Sequence, residues 1–191
     1  MRVIAGSAKG HRLYTVPGGE TRPITDRVKE SLFNILGDWI VGAWVLDLFA
    51  GTGAVGIEAL SRGAAHAVFV DKSSAALRTV RRNLEHTRLI ERATLVQADV
   101  FRYLAGPIER PFHFIYVAPP QYRGWWMRVI KLLDEHPEWL VPLSTATSLV
   151  VAQMHPREYQ TMPLSHLSVH DIRRYGSTLL CFYTLGSART T

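Results

Sequence analysis

The chain has one cysteine, Cys181, in 191 residues. It lies in the apolar run Leu179-Leu180-Cys181-Phe182, where a buried, inert thiol is expected rather than a nucleophile or a metal ligand. None of the eight histidines forms a ligand-spaced pair with cysteine or a carboxylate on a recognisable helix. His113, His155, His166 and His170 are therefore read as structural, and no metal is expected. No apolar run reaches membrane-spanning length, and no charged start followed by an apolar stretch resembles a signal peptide. A soluble, cytoplasmic protein with no membrane partner is the expectation. Repeats, low-complexity tracts and linkers are also missing, which points to one compact domain.

Acidic residues are outnumbered. Lys and Arg total 22 against 16 Asp and Glu, a net charge of +6, while the 47% hydrophobic and 20% charged content is ordinary for a globular chain. Four of those six net charges fall within the first 29 residues, which hold Arg2, Lys9, Arg12, Arg22, Arg27 and Lys29 against Glu20 and Asp26. Such an asymmetry fits a polyanionic partner, nucleic acid first among them; a solvated basic face is the other reading.

The chain is organised around Trp44-Val-Leu-Asp-Leu-Phe-Ala-Gly-Thr-Gly-Ala-Val-Gly56. Val45 to Phe49 reads as a buried strand, Gly51, Gly53 and Gly56 as a G-x-G-x-x-G turn, and Ile57 onward as a helix. This arrangement lets backbone N–H groups approach a ligand closely. Asp47, four residues before the first glycine, is awkward beside a pyrophosphate. It suits a ligand with a cationic amine, such as S-adenosylmethionine, whose sulfonium adds a second positive charge.

In chain order, Arg2-Val-Ile-Ala and Arg12-Leu-Tyr-Thr-Val read as two strands about the turn Gly6 to Gly10, a basic hairpin over residues 1–20 ahead of a main domain over 21–186. Thr25 or Asp26 caps a helix with Val28, Leu32, Ile35 and Leu36 inward. Its polar residues Arg22, Arg27 and Glu30 lead into the glycine motif and are read either as functional or as solvated surface. Ala67 to Val70 is a second strand ending at Asp71, which can accept both hydroxyls of a ribose. In the helix from Ser73 to about His86, Arg78, Arg81 and Arg82 are read as surface, with RNA contact as a lesser option. Ala93 to Gln97 is a third strand. After it, Asp99 can accept the exocyclic amine of adenine, cap the helix near Val100, or do both.

A fourth strand, Phe112 to Val117, runs into Ala118-Pro-Pro-Gln-Tyr122. Two prolines after a buried strand fix the backbone and remove two donors, leaving carbonyls that can accept from the amine of a flat base, on which Tyr122 can stack. Trp125 and Trp126 read as core, one of them available for stacking. Beyond Met127 the chain reads as scaffold: an apolar helix face from Val129 to Leu133, a strand reached through Pro142 to Ala152, and a final hairpin of Val169 to Arg174 with Leu179 to Leu185. Gly186 to Thr191 reads as a frayed tail.

Asp47-Leu-Phe-Ala-Gly-Thr-Gly53 with Pro119-Pro120 resembles the N-methyltransferases of exocyclic amines. Arg2-Val-Ile-Ala-Gly6, Thr21-Arg-Pro-Ile-Thr-Asp-Arg-Val-Lys-Glu30 with Phe33, and Tyr175-Gly-Ser-Thr178 resemble more closely the bacterial 16S ribosomal RNA guanine-N2 methyltransferases of the RsmD type. The resemblance implies an α/β fold: a Rossmann-like class I S-adenosylmethionine-dependent methyltransferase with a seven-stranded, mostly parallel sheet and a short N-terminal β-hairpin extension. It assigns cofactor contacts to Asp47, Phe49, Gly51, Gly53, Asp71, Lys72, Asp99, Val100 and Ala118. It places the target guanine against Ala118, Pro119, Pro120 and Tyr122. RNA contacts fall to Arg2, Lys9, Arg12, Arg22, Arg27, Gln121 and Tyr122. It implies a monomer whose partner is 16S ribosomal RNA or a small-subunit assembly intermediate. The amine of an unpaired guanine would attack the sulfonium methyl directly, with no metal and no covalent enzyme intermediate.

The sequence departs from the family where Asp or Asn, Pro-Pro and then an aromatic are usual. Ala118 replaces the polar residue and Gln121 displaces the aromatic by one place. The Pro119 carbonyl suffices, Gln121 supplies the acceptor, or the enzyme is slow or altered in substrate. Two readings of other classes stand beside this one: a catalytically weakened RNA-binding homologue, and a nicotinamide-dependent oxidoreductase suggested by G-x-G-x-x-G.

Overall fold

The computed structural model describes residues 1–18, 24–142 and 147–186. Arg22, the Thr21-Arg-Pro motif and the tail beyond Gly186 lie outside the described residues. Seven strands form one sheet: β1 (Trp44–Leu48), β2 (His66–Asp71), β3 (Ala93–Gln97), β4 (Phe114–Val117), β5 (Leu149–Met154), β6 (Leu167–Tyr175) and β7 (Thr178–Leu185), in the order β3-β2-β1-β4-β5-β7-β6. The chain divides into two compact units, Met1–Tyr103 and Leu104–Thr191. No helix among the described residues is long and apolar enough to cross a membrane.

In the first unit β1, β2 and β3 pair in parallel, Asp47 opposite Phe69 and Asp71 opposite Gln97. Strands β1 and β2 are nearly continuous apolar runs because both faces are covered. Helix α1 (Asp26–Leu36) is capped by Thr25, whose Oγ1 accepts the Val28 N–H at 3.3 Å. Its buried side holds Val28, Leu32, Phe33 and Leu36 as the 3.6-residue period demands, and also Lys29; Ile35, expected inward, is exposed. Helices α2 (Ala54–Ser61), wholly buried, and α3 (Ser74–His86), amphipathic, follow β1 and β2, and the short α4 (Val100–Leu104) follows β3.

The two N-terminal strands expected from the sequence do not form as such. Their pairing is reduced to one antiparallel bridge, Arg2 with Arg12, supported by Val3 N–H to the His11 carbonyl and Gly10 N–H to the Val3 carbonyl, both at 2.9 Å. Other backbone groups of the segment bond to side chains of α1, α2 and α3, as described below.

In the second unit β4 and β5 are parallel, whereas β7 is antiparallel to both β5 and β6, with an irregularity between Val169 and Asp171. Strand β4 begins two residues later than expected, and Phe112 makes only an isolated bridge with Leu140. Cys181 is buried in β7. Helix α5 (Trp125–Glu135) buries Trp126, Val129, Ile130 and Leu133. At its end the Asp134 carboxylate accepts N–H bonds from Ser165, His166 and Leu167, fixing the entry to β6. Burial alone would raise this carboxyl, but those three donors hold it below its ordinary value.

Candidate active site

In the first unit the three parallel strands each deliver a carboxylate at or near their carboxyl ends, where ligands bind in open α/β sheets. Asp47 in β1 is 2% exposed, and its Oδ2 accepts the Gly56 N–H at 3.0 Å. Burial pushes its carboxyl up to about 7; the Gly56 bond opposes the rise and the neighbouring Asp71 adds to it. This bond needs glycine at 56, because a Cβ there would lie 2.3 Å from the Phe69 ring and 3.2 Å from Asp47 Oδ2.

Asp71, at the end of β2, accepts the Gly51 N–H through Oδ2 at 2.9 Å and the Ser73 N–H through Oδ1 at 2.8 Å. It thereby ties the glycine turn of β1 to the start of α3, and each oxygen keeps a lone pair. Gly53 is the N-cap of α2. At Gly51 a Cβ would meet nothing closer than the Phe49 carbonyl oxygen at 3.8 Å, so the turn is open on that side. Phe49 holds a positive φ of 60°, unusual outside glycine, and its ring meets Phe101 edge-on at 6.5 Å. Exposed Asp99, after β3, accepts the Phe101 and Arg102 N–H groups through Oδ1 at 3.0 and 3.2 Å, capping α4. Lys72 is exposed and Val100 buried. The first unit therefore gathers Asp47, Phe49, Gly51, Gly53, Asp71, Lys72, Asp99 and Val100 along three adjacent strand ends.

In the second unit Ala118, Pro119, Pro120, Gln121 and Tyr122 leave β4 as an irregular segment. Ala118, Pro119 and Gln121 are half-buried; Tyr122 is 66% exposed with a φ of 60°. Glu158 holds that turn, its Oε2 accepting the Tyr122 N–H at 2.6 Å and its Oε1 the His155 N–H at 3.2 Å. The Tyr122 ring leans on His155 at 5.5 Å. Trp126 is buried and stacked on Tyr159, so it offers no face to a base; Trp125 is half-buried with Arg123 over its ring.

The residues expected to meet RNA are mostly at the surface. Lys9, Arg12 and Arg27 are exposed. Arg2 is exposed too, with Asp26 at 3.8 Å. Beneath them is a polar anchor the sequence reading missed. Glu58 and Lys29, both fully buried, pair at 2.8 Å. Glu58 also accepts the Ile4 and Ala5 N–H groups and the Arg62 guanidinium, while Lys29 donates to the Arg2 carbonyl at 2.6 Å. Ser61 Oγ adds bonds to the Ala5 carbonyl and the Ala8 N–H. The visible signal was Glu58 as the single charge in the apolar helix AVGIEALS. Asn83 was missed as well; it stands among the inward residues of α3 and is fully buried.

Fold and strand-end geometry together define a Rossmann-like methyltransferase fold. A model of the family described as conserved hypothetical protein 95 matches residues 1–184. The chain is 45% identical over 138 residues to the "Putative rRNA methyltransferase YlbH" of Bacillus subtilis, covering 71% of this chain and 75% of that one. It is 39% identical over 140 residues to the Ribosomal RNA small subunit methyltransferase D of Escherichia coli, covering 73% and 69%. Among solved structures, the "Putative methyltransferase yhhF" of Escherichia coli superposes with a TM-score of 0.81 at 34% identity, covering 97% of each chain. The chain belongs to this family of ribosomal RNA small-subunit methyltransferase D homologues.

Proposed function

We propose that the chain transfers a methyl group from S-adenosylmethionine to the exocyclic N2 amine of a guanine in 16S ribosomal RNA, free or in a small-subunit assembly intermediate. The observation that carries the reading is the row of strand-end groups in the first unit: buried Asp47, the open turn at Gly51, and the Asp71 carboxylate with a lone pair left on each oxygen. These donors and acceptors fit the cofactor. Asp47 suits its cationic amine, Asp71 its ribose hydroxyls and Asp99 its adenine amine, with Phe49, Val100 and Ala118 as apolar neighbours and Lys72 at the rim. When bound, the cofactor supplies an electrophilic methyl on a sulfonium. A nicotinamide dinucleotide fits less well, because its pyrophosphate would face the Asp47 carboxylate.

The protein's part is positioning. The turn after β4 receives the base, with Tyr122 as its stacking surface and Pro119 and Pro120 fixing the backbone. Ala118 has no side-chain acceptor, so the guanine amine is held by the Pro119 carbonyl or by Gln121. Residues 1–20 act as an RNA-gripping extension to the domain over 21–186, through Arg2, Lys9 and Arg12; Arg22 and Arg27 continue the grip, and the protein works as a monomer.

Incubation with labelled S-adenosylmethionine and small-subunit RNA, or subunits lacking the mark, tests this. Incorporation that disappears in Asp71→Asn supports the reading. Cofactor binding without transfer to either substrate contradicts it and leaves an RNA-binding homologue weakened at Ala118.

A further inference from the structure

The exposed side of α3 and the N-terminal segment packed on it share one cationic, aromatic surface. Arg78, Arg81 and Arg82 stand at i, i+3 and i+4, all exposed, with Glu85 as the one carboxylate of that helix. Among the described residues no ion pair joins a carboxylate to any of these arginines. Like charges at that spacing oppose a helix, so the cluster is a cost to the free protein that a polyanion removes.

Charge alone would suit many partners; the aromatic geometry narrows the choice. The Arg82 guanidinium carbon sits 3.5 Å from the centroid of the Tyr14 ring. Tyr14 meets His86 edge-on at 5.5 Å, and His86 meets His11 at 5.1 Å. Tyr14 is fixed by buried Asn83, whose Oδ1 accepts the Tyr14 N–H at 2.7 Å and whose Nδ2 donates to the Tyr14 carbonyl at 3.1 Å and the Thr52 carbonyl at 2.9 Å. The stack is therefore preorganised, and Arg12 lies exposed two residues before it. A flat guanidinium on an aromatic face, flanked by unpaired arginines, matches the bases and phosphates of single-stranded RNA.

We propose that this face of α3, with Tyr14 and Arg12, is a second RNA contact that stacks an unpaired nucleotide on the Tyr14–Arg82 pair and holds its flanking phosphates on Arg12, Arg78 and Arg81. The proposal rests on ribosomal RNA being the substrate. It adds to the base-receiving turn a site that grips RNA elsewhere along the strand.

The test is binding of the full chain to protein-free small-subunit RNA lacking the modification, from 0.05 to 0.3 M KCl. Calorimetric affinity for S-adenosylmethionine, which should stay unchanged, reports an intact fold. The triple variant R78Q/R81Q/R82Q should lower the slope of log affinity against log salt by about one and a half to two and weaken binding by roughly one to two decades at 0.1 M. R82K, which keeps the charge but loses the planar stack, should retain the slope and bind several-fold more weakly. Wild-type slope and affinity in the triple variant would overturn the proposal, as would an R82K variant that binds like wild type. Loss of binding in these variants from a wild type that transfers no methyl group would keep this contact and remove the assigned reaction.

Discussion

At the scale of single residues, Asp47 decides most. Its carboxyl is raised from an ordinary 3.8 to about 7 by burial, so the folded protein holds a proton that the unfolded chain releases. This contribution stabilises the fold at acid pH and is lost as pH rises from 3.8 toward 7. Above that window the buried charge costs up to about 4 kcal/mol. Asp47→Asn, which can still accept the Gly56 N–H, should therefore raise the melting temperature of the unliganded protein at pH 8, with the gain shrinking toward pH 4. The same variant should lose most affinity for S-adenosylmethionine. In the wild type, cofactor affinity should fall about tenfold per pH unit below 7, because a cation needs Asp47 ionised. A flat profile from pH 5.5 to 7 by calorimetry would remove Asp47 as the amine's partner. Gly56→Ala should destabilise by about 1–3 kcal/mol in urea titration, since the added methyl enters the Phe69 ring.

At the scale of elements, the N-terminal segment holds to α1 and α2 through the buried Glu58–Lys29 pair rather than through a hairpin of its own. Glu58→Gln leaves Lys29 buried without its counter-charge and should cost about 3–5 kcal/mol in denaturant melts. Gly6→Ala should weaken the same docking, because a Cβ there would fall 1.8 Å from the Ser61 carbonyl oxygen. In the second unit, Glu158→Ala should loosen the Tyr122 turn, lowering methyl transfer while leaving the affinity for S-adenosylmethionine unchanged. An unchanged rate would show that this turn does not position the base. The strands and helices were legible in the sequence where apolar period and punctuation agree: β1 to β3, α3, and the β6–β7 hairpin. Ile35 misled because the period admitted it, whereas the packing took Phe33 and the Lys29 head group instead. Lys29, Glu58, Asn83 and Glu158 were hidden because these partners lie 27 to 69 residues away and no local pattern announces such pairs.

At the scale of the whole molecule, the seven-stranded sheet and the family are fixed by pattern over nearly the full chain, matched from residue 1 to 184. The glycine turn with Asp47 and the basic N-terminal segment were readable because each is continuous in sequence, Asp71 because it closes an apolar strand and Asp99 because it follows one. The choice of base is not, since Ala118 and Gln121 alter the segment that would receive it. The most direct test is nucleoside analysis by mass spectrometry of small-subunit RNA after reaction with the purified protein and S-adenosylmethionine. N2-methylguanosine at a single site, missing when Asp47→Asn replaces the wild type, is the predicted result. A different methylated nucleoside, or none from a protein that binds both cofactor and RNA, would contradict the assignment.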